Sequence, residues 1–315
     1  MLGEEIGRGG MATIFKAEDL QNRRELVAVK VPLAIFASGL GAWSMFQREE
    51  EIGLRLDHPY LLKFIPVATE KRRSYMVTEY VPGPTLAERL RERHPLPEPE
   101  ALAIASRVCE AIDYLHHQGI VHYDVKPANI IECPNGSLRL IDLGLAHAAV
   151  TGRFSWSAGP VVASADCVAP EQIRRKGGRT SVDVYGLGAV LYEMLTGQAP
   201  FPDDDPFAVA SSRLIGDPPA PRTLNPEISP QAEEIVLRAL RRKPAERYPS
   251  AAAMKEDLDH PQRVALSGIC DRLKPVTRWR RRLRMVRHLA IMAVLPVAVQ
   301  VALFGLMWWH FARGR

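Results

Sequence analysis

Cysteine is scarce in this sequence of 315 residues, and the few cysteines present form no closely spaced pair. The four thiols, Cys109, Cys133, Cys167 and Cys270, stand far apart along the chain. Structural zinc sites and disulfide frameworks need cysteines clustered at short, regular spacings. We therefore expect unpaired thiols in a reducing compartment, with neither a cysteine metal site nor a disulfide framework.

Most of the chain carries no excess of positive charge. The whole sequence has a net charge of +5, but residues 261–315 hold eleven Lys or Arg residues against a single Asp. That segment contributes +10, which leaves residues 1–260 at −5. Because nucleic acids are bound by basic surfaces, this mildly acidic body argues against nucleic acid as a partner.

The N-terminus lacks the features of a cleavable signal peptide, since "MLGEEIGRGG" has neither a basic start nor an apolar stretch. The apolar content of 47% and the charged content of 24% are those of a globular protein with a core. A chain of this length accommodates one large domain or two smaller ones.

The composition changes along the chain and predicts an α+β protein. Residues 1–80 look β-rich, because short apolar runs such as "ELVAVKV" alternate with turns, and one helix is predicted over about 44–56. Residues 83–260 look mostly helical. One predicted helix carries an apolar face at steps of three and four residues, formed by Leu102, Ala105, Val108, Ile112 and Leu115. A second, "SVDVYGLGAVLYEMLTG", is apolar almost all round, which predicts central burial.

Residues 289–311 are predicted to form a single transmembrane helix. They begin with 21 residues free of charge, "LAIMAVLPVAVQVALFGLMWW". As a helix this run would extend about 32 Å, against about 30 Å for the hydrocarbon core of a bilayer. Membrane helices tolerate Pro296 and Gln300, and Trp308 and Trp309 lie at one end, where indoles prefer the interface. A buried core helix is the alternative interpretation.

The segment just before this run, residues 261–288, is strongly basic. Eight Lys or Arg residues fall between positions 272 and 288, and only two follow the apolar run. Positive charge stays on the cytoplasmic side of a membrane, so we expect a single-pass protein of the cell (inner) membrane with residues 1–260 in the cytoplasm. The basic run is predicted to contact anionic lipid. A solvated helix or a nucleic-acid patch is the alternative.

Residues near the N-terminus form a pattern that suits a nucleotide. Gly7, Gly9 and Gly10 lie between two short apolar runs, and glycines in such a hairpin expose main-chain N–H groups to phosphate oxygens. Taken alone, this is an ordinary glycine-rich turn. Lys30 in "VAVK" follows on a predicted strand, and Glu49 on a predicted helix could supply the partner that a desolvated lysine needs. An exposed edge lysine is the alternative for Lys30.

Two further motifs complete the pattern. The stretch "HYDVKPANI" contains an acid, a base and an amide within nine residues, and "LIDLG" follows shortly after it. Together with the glycine loop, "VAVK", Glu49 and "APE", this set resembles the eukaryotic-type (Hanks-type) protein kinase family, and most of all its bacterial serine/threonine members. The resemblance covers residues 1–260. It implies a two-lobed kinase fold, with an N-lobe at 1–80 and a C-lobe at 83–260.

The resemblance also implies a role for each motif residue. Asp124 would accept the proton of the substrate hydroxyl, and Lys126 would neutralise charge on the γ-phosphate of ATP. Asn129 and Asp142 would hold Mg²⁺, with Mn²⁺ as the alternative metal. Lys30 and Glu49 would form the ion pair that positions the phosphates. The nucleotide would lie against the loop, the first strands and the hinge, at Ile6, Gly7, Arg8, Gly9, Gly10, Ile14, Ala28, Lys30, Thr78, Glu79 and Val81.

Three other residues match structural positions of the family. Glu171 of "APEQ" is expected to pair with Arg247, and Asp183 is expected to brace the main chain of the catalytic loop. Lysine two residues after the base, as in "DVKPAN", is the pattern of serine/threonine kinases. Serine and threonine hydroxyls of proteins are therefore the expected substrates.

The chain departs from the family pattern at Tyr123, where many members have an arginine that grips a phosphorylated activation-loop residue. Tyrosine offers no positive charge for such a clamp. We therefore predict that phosphorylation of the candidate hydroxyls in this segment does not switch the enzyme through residue 123; these are Thr151, Ser155, Ser157 and Ser164. "ASADCVAPE" also departs from the family's usual glycine and threonine, which leaves substrate preference open.

An ATP-dependent, membrane-anchored serine/threonine kinase is thus the leading interpretation. The alternative is a membrane-tethered pseudokinase that acts as a scaffold, which Tyr123 and the altered segment before "APE" favour. Against the scaffold, every motif residue that degenerate kinases tend to lose is present. Partners implied by the resemblance are ATP and protein substrates, and the anchor adds the membrane and a homodimer.

Overall fold

The structure of the protein is a computed structural model. It describes residues 2–9, 12–20, 22, 24–33, 40–67, 75–143, 147–148, 167–174, 179–203 and 205–275. Gly10, the four candidate phosphorylation hydroxyls and the predicted transmembrane helix lie outside the described residues. Within the described ranges, no helix is long and apolar enough to cross a bilayer.

The N-terminal lobe is built on one antiparallel sheet of five strands in the order β1-β2-β3-β5-β4. The strands are β1 (Leu2–Arg8), β2 (Ala12–Asp19), β3 (Glu25–Pro32), β4 (Phe64–Ile65) and β5 (Met76–Glu79). The register of β2 and β3 is regular over eight pairs, from Ala12–Pro32 to Asp19–Glu25. The predicted β-rich first lobe is therefore confirmed.

One helix of this lobe packs on the sheet. Helix α1 (Leu40–Gly53) begins earlier and ends earlier than the predicted 44–56, so those bounds were wrong. Beyond Leu54 the amides bond three residues back instead of four, as in Arg55 N to Ile52 O at 3.1 Å, which tightens the chain into a turn. Gly53 is required there, since a Cβ would lie only 2.3 Å from the ring of Phe64.

The C-terminal lobe is mostly helical, as predicted. Its helices are α2 (Leu86–Glu92), α3 (Glu98–His117), α4 (Pro170–Ile173), α5 (Ser181–Thr196), α6 (Pro206–Ile215), α7 (Pro221–Leu224), α8 (Pro230–Ala239) and α9 (Ala251–Asp259). Two small sheets complete this lobe. They pair β6 (Ile120–Val121) with β9 (His147–Ala148), and β7 (Ile130–Glu132) with β8 (Leu138–Leu140).

Helices α3 and α5 form the centre of this lobe. The five residues of the predicted apolar face of α3, from Leu102 to Leu115, are all buried. Helix α5 is buried on nearly every side, as its apolar composition predicted, and α3 packs against both α5 and α9. A core of this size stabilises the lobe mainly through the hydrophobic effect and holds the loops at its edge in place.

The two lobes meet along β8 and the turn that follows α1. The amide of Leu62 donates to the carbonyl of Leu140 at 3.1 Å, and the amide of Leu140 donates to Tyr60 at 2.8 Å. The guanidinium of Arg139 bonds the carboxylate of Glu79 at 2.8 Å and the carbonyl of Pro59 at 2.6 Å. These contacts fix the end of β5 relative to the strand that leads to the "DLG" motif.

The chain does not leave the domain at residue 260. Residues 261–275, which we call the strap, run back over the C-terminal lobe. The amide of Lys274 donates to the carboxylate of Asp217 at 3.0 Å, and the amide of Asp217 donates to the carbonyl of Lys274 at 3.1 Å. Ser267 donates through its amide and its hydroxyl to Glu234 on α8, and Ile269 is buried.

Candidate active site

The side chains of Lys30, Glu49 and Asp142 meet in the cleft between the lobes. The Nζ atom of Lys30 lies 2.7 and 2.9 Å from the two carboxylate oxygens of Glu49. The same atom lies 3.2 Å from Oδ1 of Asp142. Strand β3, helix α1 and the loop after β8 thus each contribute one charge to a single cluster, as the resemblance implies.

Burial and charge act in opposite directions on this cluster. Burial disfavours the ammonium of Lys30, but the carboxylates of Asp142 and Glu49 outweigh it and raise the pKa of the lysine. Burial would likewise raise the pKa of Asp142, yet Lys30 holds that pKa below its ordinary value. The pKa of Glu49 is raised, first by burial and then by the charge of Asp142. Lys30 and Asp142 are therefore both charged at neutral pH.

Asp124 and its neighbours form a second cluster in the loop between β6 and β7. The ammonium of Lys126 lies 2.6 Å from Oδ2 of Asp124. The amide nitrogen of Asn129 donates to the same carboxylate at 3.0 Å and to the carbonyl of Asp124 at 2.9 Å. Because the amide nitrogen faces Asp124, the amide oxygen of Asn129 points elsewhere, and that oxygen is the atom able to bind a cation.

The loop that carries Asp124 is held from below by Asp183. This carboxylate, fully buried on α5, accepts the amide of His122 at 2.9 Å and the amide of Tyr123 at 2.8 Å. His116 at the end of α3 places Nε2 2.8 Å from the same carboxylate. The structure brings Asp183 to the place that the resemblance implies. His116 belongs to none of the motifs on which the family resemblance rests.

Tyr123 adopts an unusual main-chain conformation. Its φ angle is +65°, in the left-handed region that residues with a Cβ rarely occupy, and Asp142 has a φ of +67°. The phenol is half-buried and packs against the core, and burial together with the charge of Asp183 raises its pKa. It adds no positive charge beside Asp124.

The end of the activation segment is anchored by a buried ion pair. Both carboxylate oxygens of Glu171 bond the guanidinium of Arg247, at 2.6 and 2.7 Å. Arg247 also donates to the carbonyls of Ser181 and Arg241, at 2.8 and 2.7 Å. The pairing expected from the sequence is present, and it fixes α4 to the start of α5.

The residues expected to contact adenine lie together at the back of the cleft. Ala28 on β3 is paired with Thr78 on β5, and the neighbouring pair is Val27 with Glu79. Thr78 is buried, and its hydroxyl donates to the carbonyl of Glu79 at 3.2 Å. The Glu79 side chain is engaged by Arg139 and its amide donates to the carbonyl of Lys63 at 2.9 Å. Its carbonyl can accept a second hydrogen bond beside that from Thr78, and this is the group that could bond a nucleotide.

The described part of the glycine loop caps the cleft. Gly7 pairs with Ile14, opposite Lys30 on the next strand, and the amide of Gly9 donates to the carbonyl of Ala12 at 2.8 Å. A Cβ on Gly7 would make only ordinary contacts with Ile14, 3.8 Å away. Packing within the chain therefore does not require glycine at this position. Ile6 and Arg8 are exposed, and Arg8 is paired with Glu5.

The sequence did not indicate the link between Arg139 and Glu79. Glu79 was expected only as a nucleotide-contacting residue and Arg139 belongs to no motif, and side chains that meet from distant strands leave no periodic signal. The sequence also did not predict the strap. Because the composition does not change at residue 275, residues 261–275 were assigned to the predicted basic segment and not to the folded domain.

Comparison with known proteins decides the family. Residues 1–260 match the family model described as the protein kinase domain. The chain belongs to the protein kinase family. Among the most similar curated proteins, the serine/threonine-protein kinase PknB of Mycolicibacterium smegmatis is 37% identical over 262 residues, and that of Mycobacterium tuberculosis is 36% identical over 262 residues. A probable serine/threonine-protein kinase of Streptomyces coelicolor is 35% identical over 263 residues.

Each of these alignments covers 82% of this chain but only 39–42% of the relative, so the chain spans about two fifths of the length of the curated relatives it matches. The predicted family, a Hanks-type bacterial kinase, is confirmed, and so is the predicted enzyme class, serine/threonine-protein kinase. The β-rich and helical lobes are those of this family.

Proposed function

We propose that this chain transfers the γ-phosphate of ATP to serine or threonine hydroxyls of proteins, and that residues 289–311 anchor it in the membrane. The observation that carries the proposal is the position of Lys30. Its ammonium is paired with Glu49 at 2.7 Å and Asp142 at 3.2 Å. This arrangement joins the two lobes through a charge suited to bind phosphate oxygens.

The proposed reaction forms one bond and breaks another. The hydroxyl oxygen of the substrate bonds to the γ-phosphorus, while the bond from that phosphorus to the β–γ bridging oxygen breaks and ADP leaves. Asp124 orients the hydroxyl and accepts its proton. Its carboxylate suits this role because Asp183, Lys126 and Asn129 fix the loop and the side chain before a substrate arrives.

Lys126 and Lys30 supply positive charge on two sides of the transferred group. Lys126 lies beside Asp124 and would meet the γ-phosphate, whereas Lys30 would meet the phosphates that remain on ADP. Positioning and electrostatic stabilisation provide most of the rate enhancement in phosphoryl transfer, since the protein makes no covalent bond to the phosphorus. The two ammonium groups that this requires are already held in place, Lys30 by Glu49 and Lys126 by Asp124.

The residues present also fit the divalent metal that the family uses. A carboxylate from Asp142 and the amide oxygen of Asn129 are hard oxygen ligands of the kind that Mg²⁺ prefers, and Mn²⁺ accepts the same set. The amide nitrogen of Asn129 is committed to Asp124, which leaves its oxygen to the metal. The metal, when bound, neutralises charge that develops on the phosphate oxygens.

The glycine loop supports the same proposal. Gly7 has room for a Cβ within the chain, so its freedom from a side chain is explained by close approach of a phosphate to the main chain. Gly9 is held by its bond to Ala12, which shapes the described part of the hairpin. Ile6, Arg8 and Gly10 complete the loop in this proposal, and Val81 at the hinge would bond adenine through its main chain.

The membrane anchor rests on the sequence alone. The charge-free run that begins at Leu289 is long enough to span a bilayer, and the basic residues that precede it place residues 1–260 on the cytoplasmic side. Protein substrates would accordingly be cytoplasmic or membrane-bound. A homodimer formed through lateral contact of the anchors is part of the same proposal.

Transfer of labelled phosphate from ATP tests the activity. The full chain, in detergent or in vesicles, is incubated with Mg²⁺ and a basic protein substrate, beside the variants Asp124→Asn and Asp142→Ala. We expect label on serine or threonine of the substrate with the parent chain only. A folded parent chain that binds ATP yet transfers no label would favour the scaffold.

Cell fractionation tests the anchor. The full chain is expected in the membrane fraction after extraction at alkaline pH, whereas a chain that ends after Pro275 is expected in the soluble fraction. Equal distribution of the two proteins would refute the transmembrane helix without affecting the proposed phosphate transfer.

A further inference from the structure

Gln172 is a buried residue of α4 whose amide is bonded at both ends. Its Oε1 atom accepts the amide hydrogen of Ala169 at 2.8 Å, and its Nε2 atom donates to the carbonyl of Tyr123 at 3.2 Å. A main-chain amide can only donate, so the oxygen of Gln172 must face Ala169. The nitrogen must then face Tyr123, and the orientation of the side-chain amide is unambiguous.

The residue that receives this bond is held in a strained conformation. Tyr123 has a φ of +65°, and such a conformation persists only where the surroundings impose it. Its amide is bound by Asp183 on α5 at 2.8 Å, and its carbonyl is bound by Gln172 on α4. Side chains from two different helices therefore hold the two main-chain polar atoms of Tyr123.

The bound carbonyl belongs to the peptide group that joins Tyr123 to Asp124. Because a peptide group is planar, fixing its oxygen also fixes the amide of Asp124 and the direction in which the next Cα lies. On the other side, Asn129 binds the carbonyl of Asp124 at 2.9 Å. Gln172 and Asn129 thus restrain the main chain before and after the residue that must orient the hydroxyl.

Gln172 itself is attached to a rigid support. Its neighbour Glu171 is locked to the buried guanidinium of Arg247, and α5 packs directly beneath the loop. A Cβ on Gly186 of α5 would lie only 3.0 Å from the carbonyl of Val125, which shows how closely helix and loop approach. A shift of α4 would therefore be transmitted to Tyr123 through the amide of Gln172.

We propose that Gln172 is a positioning residue that couples the end of the activation segment to Asp124 through the carbonyl of Tyr123. The inference rests on the proposed phosphate transfer. The coupling is a hydrogen bond between two uncharged groups, and it uses only the main chain of residue 123. It can therefore operate with tyrosine at that position and needs neither an arginine nor a phosphate. The expected consequence is a change in turnover and not in nucleotide binding, since Gln172 lies away from the nucleotide residues.

Two substitutions test this role. Gln172→Met keeps the length of the side chain and removes both hydrogen bonds. Gln172→Glu keeps the volume and the acceptor for Ala169, and its carboxylate presents an oxygen to the carbonyl of Tyr123 in place of the donor. We expect kcat to fall at least about tenfold in both variants while KM for ATP stays within about twofold. Gln198→Met, at an exposed loop position, is the matched control and should keep the parental kcat.

Hydrogen exchange gives a readout that does not depend on activity. Loss of the bond to Tyr123 is expected to increase exchange at residues 122–125 about tenfold and to leave the centre of α5 unchanged. If the parent chain transfers no phosphate, the proposed function fails and exchange alone decides the coupling. Parental exchange and parental kcat in Gln172→Met would overturn the inference, as would a KM for ATP that rises as much as kcat falls.

Discussion

The ammonium of Lys30 and the carboxylate of Asp142 lie 3.2 Å apart although 112 residues separate them in the chain. Lys30 also contacts both oxygens of Glu49, so one cation balances two carboxylates, of which Glu49 is buried and Asp142 is partly exposed. Removing a single partner from such a group leaves the others uncompensated, which is more costly than the loss of an exposed ion pair. This relationship gives the cleft a pH dependence that can be measured.

Replacement of Lys30 should make stability depend on pH. In Lys30→Met the two carboxylates face each other without a cation, and burial already raises the pKa of Glu49. A carboxyl group whose folded pKa is raised favours the folded state below its unfolded pKa, about 4.3, and loses that contribution as the pH rises through the folded value. The deficit in melting temperature against the parent should therefore be larger at pH 8 than at pH 5.

Lys16→Met is the matched control for this experiment, because Lys16 lies on the adjacent strand and its nearest carboxylate, on Glu4, is exposed and 4.0 Å away. Its melting temperature should differ from the parent by the same small amount at both pH values. A deficit of Lys30→Met that does not change between pH 5 and pH 8 would contradict the assignment of Glu49 as its uncompensated partner.

Asp183 should be needed for turnover as well as for stability. In Asp183→Asn one of the two main-chain amides of the loop, at His122 or Tyr123, would face the NH₂ group of the new side chain. Hydrogen bonds to a charged acceptor contribute about 1.5–3 kcal/mol, so we expect kcat to fall about 10- to 100-fold. Steady-state kinetics and thermal unfolding measure the two effects. Asp57→Asn, an exposed substitution, should change neither, and parental kcat in Asp183→Asn would refute the bracing role.

The ion pair between Glu171 and Arg247 should contribute to the stability of the folded domain. Both side chains are buried, so Glu171→Ala leaves a guanidinium without its carboxylate and should lower the free energy of unfolding by about 3–5 kcal/mol. Glu246→Ala, which removes a partly exposed partner of Arg241, should have a much smaller effect. Denaturant unfolding measures both variants, and equal effects would contradict the stated importance of burial.

Phosphorylation of the activation segment should not be required for activity. Tyr123 supplies no cation near Asp124, and the main chain of the loop is held by Asp183 and Gln172 without any charge on the segment. The quadruple alanine variant at Thr151, Ser155, Ser157 and Ser164 should therefore retain kcat within about threefold of the parent. Treatment of the parent with a phosphatase is the companion test. Loss of activity in a folded quadruple variant would refute the prediction.

Much of the candidate site could be predicted because the chemistry concentrates in short motifs. The loop from His122 to Asn129 contains the proposed base, its neighbouring lysine and a proposed metal ligand within eight positions, and their mutual contacts follow from closeness in sequence. Lys30 and Glu49 required the family resemblance, since nothing in either local stretch specifies the other. The structure places all of them at one cleft.

The remaining features could not be predicted because they depend on side chains that bind distant main-chain atoms. The bond from Gln172 to Tyr123 spans 49 residues, and that of Arg139 to Pro59 spans 80. Neither glutamine nor arginine shows a local pattern for such a contact. The end of α1 was misplaced as well, since the close contact of Gly53 with Phe64 of the next strand leaves no local pattern in the sequence.

The strap, residues 261–275, should belong to the folded unit and stabilise it. A fragment that ends at residue 260 loses the buried side chain of Ile269, the paired main-chain bonds between Asp217 and Lys274, and the bonds from Ser267 to Glu234. The fragment 1–275 should therefore melt several degrees above the fragment 1–260.

Asp217→Ala within the fragment 1–275 should lower the melting temperature by part of the difference between the two fragments. The substitution removes the acceptor for the amide of Lys274 and the partner of Arg242, whose Nε lies 3.2 Å away, while the rest of the strap remains. Its melting temperature should fall between those of the two fragments. If all three proteins melted together, the strap would contribute nothing to folding. An intermediate value would show that the pairing of the strap with Asp217 stabilises the domain.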